Sequence, residues 1–422
     1  MQRKLAGLLG SAAVALWLGQ AHAADLNVWG LQAFNPEADA YIGELVKEYG
    51  KSKNISAEYV VVPANVLNEK LAAAFAAGSP PDAFMNVGAQ GLYYMSQGLT
   101  APLDDVLAEM RKVPGGIYEN TMPQGTYDGK VQALPLEVDV SPMYARKDLL
   151  AKINMPIPAT WDDLRKASQA IMKADPTIQA FGFPVSNAND AEGGLRQVIW
   201  SYGGAMFSKD GKTVTFNSPE TIAAYQFIAD MVAEGTIPRA ALTWDDAGNN
   251  TAYQTGRSAF IINPPSVYSW MQANDKELLK NTALINVPKG PGAKGRAASG
   301  VGSWLWLVPK SSKQIDNAKG WLKYFFEPTR YQKIIQTVGG RWLPIYPSMM
   351  AMPLFKDNPD YANFGAMAAS GIIDGHEAPP SAWASKANNA KVVTNVLQKI
   401  LVDKMAAKDA VAWGQAEIEK LK

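Results

Sequence analysis

Beyond residue 24, short apolar runs alternate with stretches whose apolar residues recur every three or four positions. Leu26 and Val28 open an extended segment, Ile42, Leu45, Val46 and Tyr49 share one helical face, and Ala57–Val62 is again extended and β-branched. Val66, Leu67, Leu71, Ala74 and Phe75 make a second helical stripe, stopped by Gly78, before a short apolar strand at 83–85. This β-α-β-α-β order predicts parallel strands in one sheet with helices on its faces, because crossovers of this length close with one hand.

The middle of the chain continues the alternation with helix starts that have a physical cause. Thr160 is placed to cap a helix with Asp163 as the reciprocal partner, and Ser218 precedes Pro219 at a second start. Behind Ser218, Ile222, Tyr225, Ala229 and Val232 form a stripe that Gly235 and Pro238 end, which predicts a second α/β unit. Ile315, Ala318, Leu322 and Phe325 form another stripe, expected to stop at Pro328, and a long helical region is expected from about Ala387 onward. The Gly-Pro-Gly-Ala-Lys-Gly run at 290–295 has the letters of a dinucleotide loop, but a helix must open at its last glycine. The apolar extended segment at 304–308 follows instead, so the run reads as a solvent loop.

The first residues change the picture of location. Arg3 and Lys4 precede an apolar stretch at 5–18 and the small-residue signal Ala21-His22-Ala23, so residues 1–23 are expected to be a cleaved secretory leader with Ala24 first in the mature chain. That stretch is shorter than the ~20 residues a bilayer needs. No cysteine follows it for lipid attachment, and a periplasmic location is expected. The charge is +1 for all 422 residues and becomes −1 without Arg3 and Lys4. No basic block marks a nucleic-acid surface. A mature chain of this length is too long for one ordinary core, and two lobes are expected.

Missing residue types exclude chemistry. With no cysteine, and with His376 the single histidine beyond His22, disulfides, thiolate nucleophiles and multi-histidine metal centres are ruled out, and no cofactor motif stands in their place. A serine triad would have to use His376, which sits in a polar turn and reads as a surface histidine.

Several short stretches, in order, carry a resemblance: Gly-Ser-Pro-Pro-Asp at 78–82, Gly-Leu-Thr-Ala-Pro-Leu-Asp at 98–104, and Tyr-Asp-Gly-Lys-Val-Gln-Ala-Leu-Pro-Leu at 127–136. Tyr-Ala-Arg-Lys-Asp-Leu-Leu at 144–150, Pro-Ala-Thr-Trp-Asp-Asp-Leu at 158–164, Tyr-Gln-Thr-Gly-Arg-Ser-Ala-Phe at 253–260 and Val-Pro-Lys-Ser-Ser-Lys at 308–313 follow. Together they resemble the extracellular solute-binding proteins of carbohydrate ABC importers, the group that includes maltodextrin-binding protein. The resemblance implies an α/β, type II periplasmic-binding-protein fold of two discontinuous lobes around a hinged cleft. Residues 24–138 and 297–338 would form the first lobe, and 139–296 with 339–422 the second. It also implies a chain that acts as a monomer and delivers a small polar ligand, a mono- or oligosaccharide or an anionic sugar derivative, to permease subunits.

A sugar offers apolar C–H faces and a rim of hydroxyls, so its site needs flat aromatics and planar polar groups. Residues of these types at strand ends and in loops are Trp29, Gln32 and Asn35 after the first strand, Asp82 in the first motif, and Trp200 and Tyr202 before two glycines. Asn263 and Trp270 flank a Pro-Pro turn, and Ser303 and Trp304 follow Gly302. The resemblance adds Glu137 and Asp139 at the hinge and Arg341 with Trp342 in a loop after Gly339-Gly340. The competing reading is a secreted carbohydrate hydrolase whose carboxylate pair is Glu137 and Asp139.

Overall fold

The structure, a computed structural model, describes residues 24–422; the expected leader lies outside the described residues. Leu26–Leu31 pairs in parallel with Ala57–Val62 on one side and with Ala83–Val87 on the other, and helices Pro36–Lys53 and Ala64–Ala76 make the crossovers. The β-α-β-α-β unit is therefore present as read. Two later strands complete a five-stranded sheet: Trp304–Leu307 runs antiparallel beside Ala83–Val87, and Ala133–Pro135 lies at the edge beyond it.

A second sheet has three strands, Thr282–Ile285, Met143–Arg146 and Phe260–Ile262, all antiparallel. Its helices start where the sequence places their caps. Thr160 accepts from the Asp163 amide while Asp163 accepts from Thr160, and Ser218 accepts from the Thr221 amide. Pro328 does more than end the preceding helix: as a first-turn residue it opens Pro328–Thr337, where its missing N–H is not needed. The C-terminal region is three helices, Ala382–Asn389, Val392–Leu401 and Ala407–Lys420, because Lys391 takes a left-handed conformation and 402–406 breaks the second turn-over. Residues 290–295 form a loop with no helix behind it.

A third, small sheet joins the two halves. Gly300–Gly302 pairs antiparallel with Asp139–Ser141 and parallel with Ile372–Ile373. The first two strands lead from one main sheet into the other, and Ile372–Ile373 is a third crossing. Alternation along Met143–Arg146 divides the interior: Tyr144 packs with the core of Val28, Phe84 and Trp306, whereas Met143 and Ala145 pack with that of Trp161, Phe181 and Val396. Segments from Trp342 to Met367 pack with the first core, and those from Ala387 onward with the second.

Candidate functional site

A cavity of about 200 Å³ lies over the small joining sheet, between the two main sheets. Its floor is Asp139, Ser141, Gly300–Gly302 and Ile372. One wall begins where Ala83–Val87 ends, with Val87, Gly88 and Gln90 leading into helix Gly88–Ser96, joined by Phe34, Gln124, Trp304 and Arg341. This agrees with the tendency of open α/β sheets to bind ligands beyond the carboxyl ends of their strands. The facing wall is mostly one helix, Asn189–Tyr202, which turns Asn189, Gly193, Gln197 and Trp200 inward at three- and four-residue spacing. Asp246 and Lys391 complete it. The walls touch: the Gln90 amide donates to Asn189 Oδ1 at 3.1 Å.

Five of the sequence-selected residues line this cavity: Asp139, Trp200, Ser303, Trp304 and Arg341. Arg341 is 3% exposed; its Nε donates to the Ala33 carbonyl at 2.8 Å, and the guanidinium lies 5.0 Å from the Trp304 ring centre. Its Nη1 has no partner among the described residues, nor do Asp139 Oδ1 and Gln124 Nε2. Buried polar atoms are rarely left so without a role, and these three belong to residues of the cavity wall.

The other nine lie elsewhere. Trp342 is fully buried and meets Trp304 edge-on at 5.7 Å, so it buttresses the wall from behind. Asn35 caps the first helix through the Glu37 and Ala38 amides. Asp82 accepts from the Asn27 backbone amide and the Ser312 hydroxyl, tying the first strand to the turn that follows Trp304–Leu307. Trp29 and Trp270 pack against the first core, Tyr202 packs in the second at 6.0 Å from Phe227, and Gln32 joins the sheet through its backbone. Asn263 is buried with Asn249, whose amide in turn reaches Asp190.

Glu137 is buried and accepts the Trp304 amide at 2.6 Å, so it braces the wall from the far side and is not among the cavity residues. The pair named for glycoside hydrolysis does not face one shared space. His376 is half-buried instead of on the surface: Arg296 lies 2.6 Å from its Nε2, its ring meets Trp200 edge-on, and burial followed by Arg296 lowers its pKa.

The cleft is electrostatically loaded. Burial pushes the Asp139 carboxyl up to about 6 against the pull of Arg341. Burial, then repulsion from Asp139, holds Glu137 well above the usual carboxylate range. Asp190 is raised by burial and then by Asp246. Lys391, whose Nζ donates to Asn189 Oδ1, is lowered by burial.

Sequence reasoning missed Gln90, Gln124, Asn189, Asp190, Glu192, Asp246 and Lys391. Asp190 and Glu192 look like ordinary first-turn acids that complement a helix dipole, and no local pattern separates that role from a cleft role. For Asn189 the signal is spacing, since 189, 193, 197 and 200 form one face carrying both polar and glycine positions.

The profile of bacterial extracellular solute-binding proteins matches residues 34–330, and the chain belongs to that family. A Brucella abortus (strain 2308) protein described as a binding protein is 26% identical over 425 residues, with 98% of each chain covered. The arabinooligosaccharide-binding protein of Bacillus subtilis is 23% identical over 313 residues, covering 72% of this chain and 70% of that one. A maltose-bound T. maritima protein superposes with a TM-score of 0.82 at 21% identity, over 94% of this chain and 99% of its own. At that identity the likeness speaks for the two-lobed fold.

Proposed function

We propose that the exported chain captures a small polyhydroxylated solute, a sugar or sugar derivative, by closing its two lobes on it in the periplasm, and passes it to the permease of an ABC importer. The observation that carries this reading is the cavity over the joining strands. Two indole rings, Trp200 and Trp304, line it together with Arg341, Asp139 and Gln124, each of which carries a polar atom with no partner among the described residues. Flat apolar faces beside planar hydrogen-bonding groups match the two surfaces of a pyranose or a short polyol. A space of about 200 Å³ is below the ~300–1,000 Å³ of sites for drug-sized ligands, which favours one or two sugar units over a long chain. The names of relatives support the class: one binds an arabinooligosaccharide, and a fold neighbour holds maltose. One chain supplies both walls, so a monomer suffices.

The test is a thermal-shift screen of the mature protein over sugars, sugar acids, amino sugars and alditols, with calorimetry on each hit and chromatography for products. A ligand at 100 times its Kd adds about 2.7 kcal/mol of stability. Stabilisation without product is expected. Absence of stabilisation across the screen, or release of cleaved sugar, would overturn the reading.

A further inference from the structure

The cavity walls hold more negative than positive side chains. Asp139, Asp190, Glu192, Asp246 and Asp374 line the cleft against Arg196, Arg341 and Lys391. Arg196 pairs with Asp374 at 3.3 Å. That leaves Arg341 and Lys391 for four carboxylates of the cavity wall, and none of these six makes an ion pair among the described residues.

Their hydrogen bonds are also unevenly filled. Asp246 accepts from the Asp190 backbone and the Asn189 amide, and Asp190 accepts from Asn249. Glu192, 1% exposed, accepts the Thr394 amide with one oxygen while its Oε1 has no partner. Asp139 Oδ1 has none either. Enclosed carboxylate charge is expensive unless a cation or a proton meets it. A neutral sugar would fill hydrogen bonds and leave the excess charge, and an anionic one would add to it. An ammonium group supplies both donors and charge, and the indole of Trp200 favours a cation as well, as that of Trp304 already does for Arg341.

We infer that the cleft selects a cationic polyhydroxylated ligand, an amino sugar or amino alditol, with its ammonium group at Asp139 and Asp190 and its hydroxyls toward Arg341 and Gln124. This rests on the cleft being the ligand site of the proposed function. The raised carboxyls of Asp139 and Asp190 fit it, since the negative charge of Asp139 is among the causes at Asp190.

Calorimetric titration with matched sets tests it: glucosamine, glucose and glucuronate; galactosamine, galactose and galacturonate; and 1-amino-1-deoxysorbitol with sorbitol. The best amine should bind about 10- to 100-fold tighter than its neutral counterpart, as a charge-assisted contact implies. A neutral or acidic member that binds as tightly as the amine overturns the inference while leaving sugar capture intact. No binding by any member overturns this inference, while the capture reading stands or falls with the wider screen. In Asp139→Asn and Asp190→Asn, checked for native melting, amine affinity should fall by about tenfold or more; unchanged affinity in a folded variant overturns the placement. Should either variant unfold, the unmodified protein still decides, because amine affinity must weaken from about pH 7.5 to about pH 5 as Asp139 gains its proton, and a flat profile overturns the assignment.

Discussion

Arg341 shows how one side chain is both structural and available. Its Nε is committed to the Ala33 carbonyl and its guanidinium lies 5.0 Å from the Trp304 ring centre, yet Nη1 has no partner among the described residues. A lysine has neither the fork nor the flat cation. Arg341→Lys should therefore weaken ligand binding by about 1.5–3 kcal/mol, with a smaller loss of folding stability from the Ala33 contact, read by calorimetry beside urea unfolding. Affinity unchanged with stability reduced would make the arginine purely structural. Asp139 gives a pH prediction. Its folded pKa of about 6 lies above the unfolded value near 3.9. Between those values the native state binds more protons, so ligand-free stability falls as pH rises from about 4 to about 7. Asp139→Asn should flatten that slope and stabilise the apo protein at neutral pH by on the order of 1–2 kcal/mol, measured by unfolding across the range. At this scale the sequence was half legible. Trp304 and Arg341 stood out by their glycine neighbours, but nothing local separates cleft-facing Trp200 from buried Trp342, since an indole in a loop-flanked segment suits either place.

Elements were far more legible, because periodicity and caps are local. Thr160 with Asp163 and Ser218 with Pro219 form the caps that their spacing predicts, and the parallel crossovers follow the apolar stripes. What stayed hidden was non-local: Ile372–Ile373 is a two-residue strand, too short for any pattern, whose existence depends on Gly300 and Val301 arriving from elsewhere in the chain. Gly340 is a second case. Its φ is +81, and a Cβ there would come within 1.6 Å of the buried Tyr361 hydroxyl oxygen. Gly340→Ala should destabilise the protein by about 2–4 kcal/mol and disturb the loop that presents Arg341. Thr160→Ala, remote from the cleft, should remove about 1 kcal/mol of stability and leave ligand affinity unchanged. Thermal melts paired with titrations separate the two outcomes; equal effects on affinity would show that the cleft feels general loosening of the fold more than the geometry of one loop.

At the scale of the whole molecule, closure is an equilibrium between states that differ in contacts across the cleft. In the structure the walls meet through the bond from Gln90 to Asn189 Oδ1, and helix Gly88–Ser96 packs against Ala382–Asn389. Asn189 also receives Lys391 on the same oxygen and donates to Asp246, so its position is held by the second core's side alone. Gln90 is thus a contact made across the cleft, and removing it leaves Asn189 still satisfied. A net hydrogen bond contributes about 1 kcal/mol. A ligand that binds the closed form must supply any stabilisation that the walls lose, so apparent affinity falls by the factor by which the closed population falls. Gln90→Ala should expand the ligand-free protein in small-angle scattering, weaken ligand about fivefold, and leave the ligand-saturated radius the same as in the unmodified protein. Calorimetry and scattering on one preparation decide it. An unchanged affinity together with an unchanged ligand-free radius would mean that closure is set by the joining strands and the helix contact, with the Gln90 bond formed only in passing.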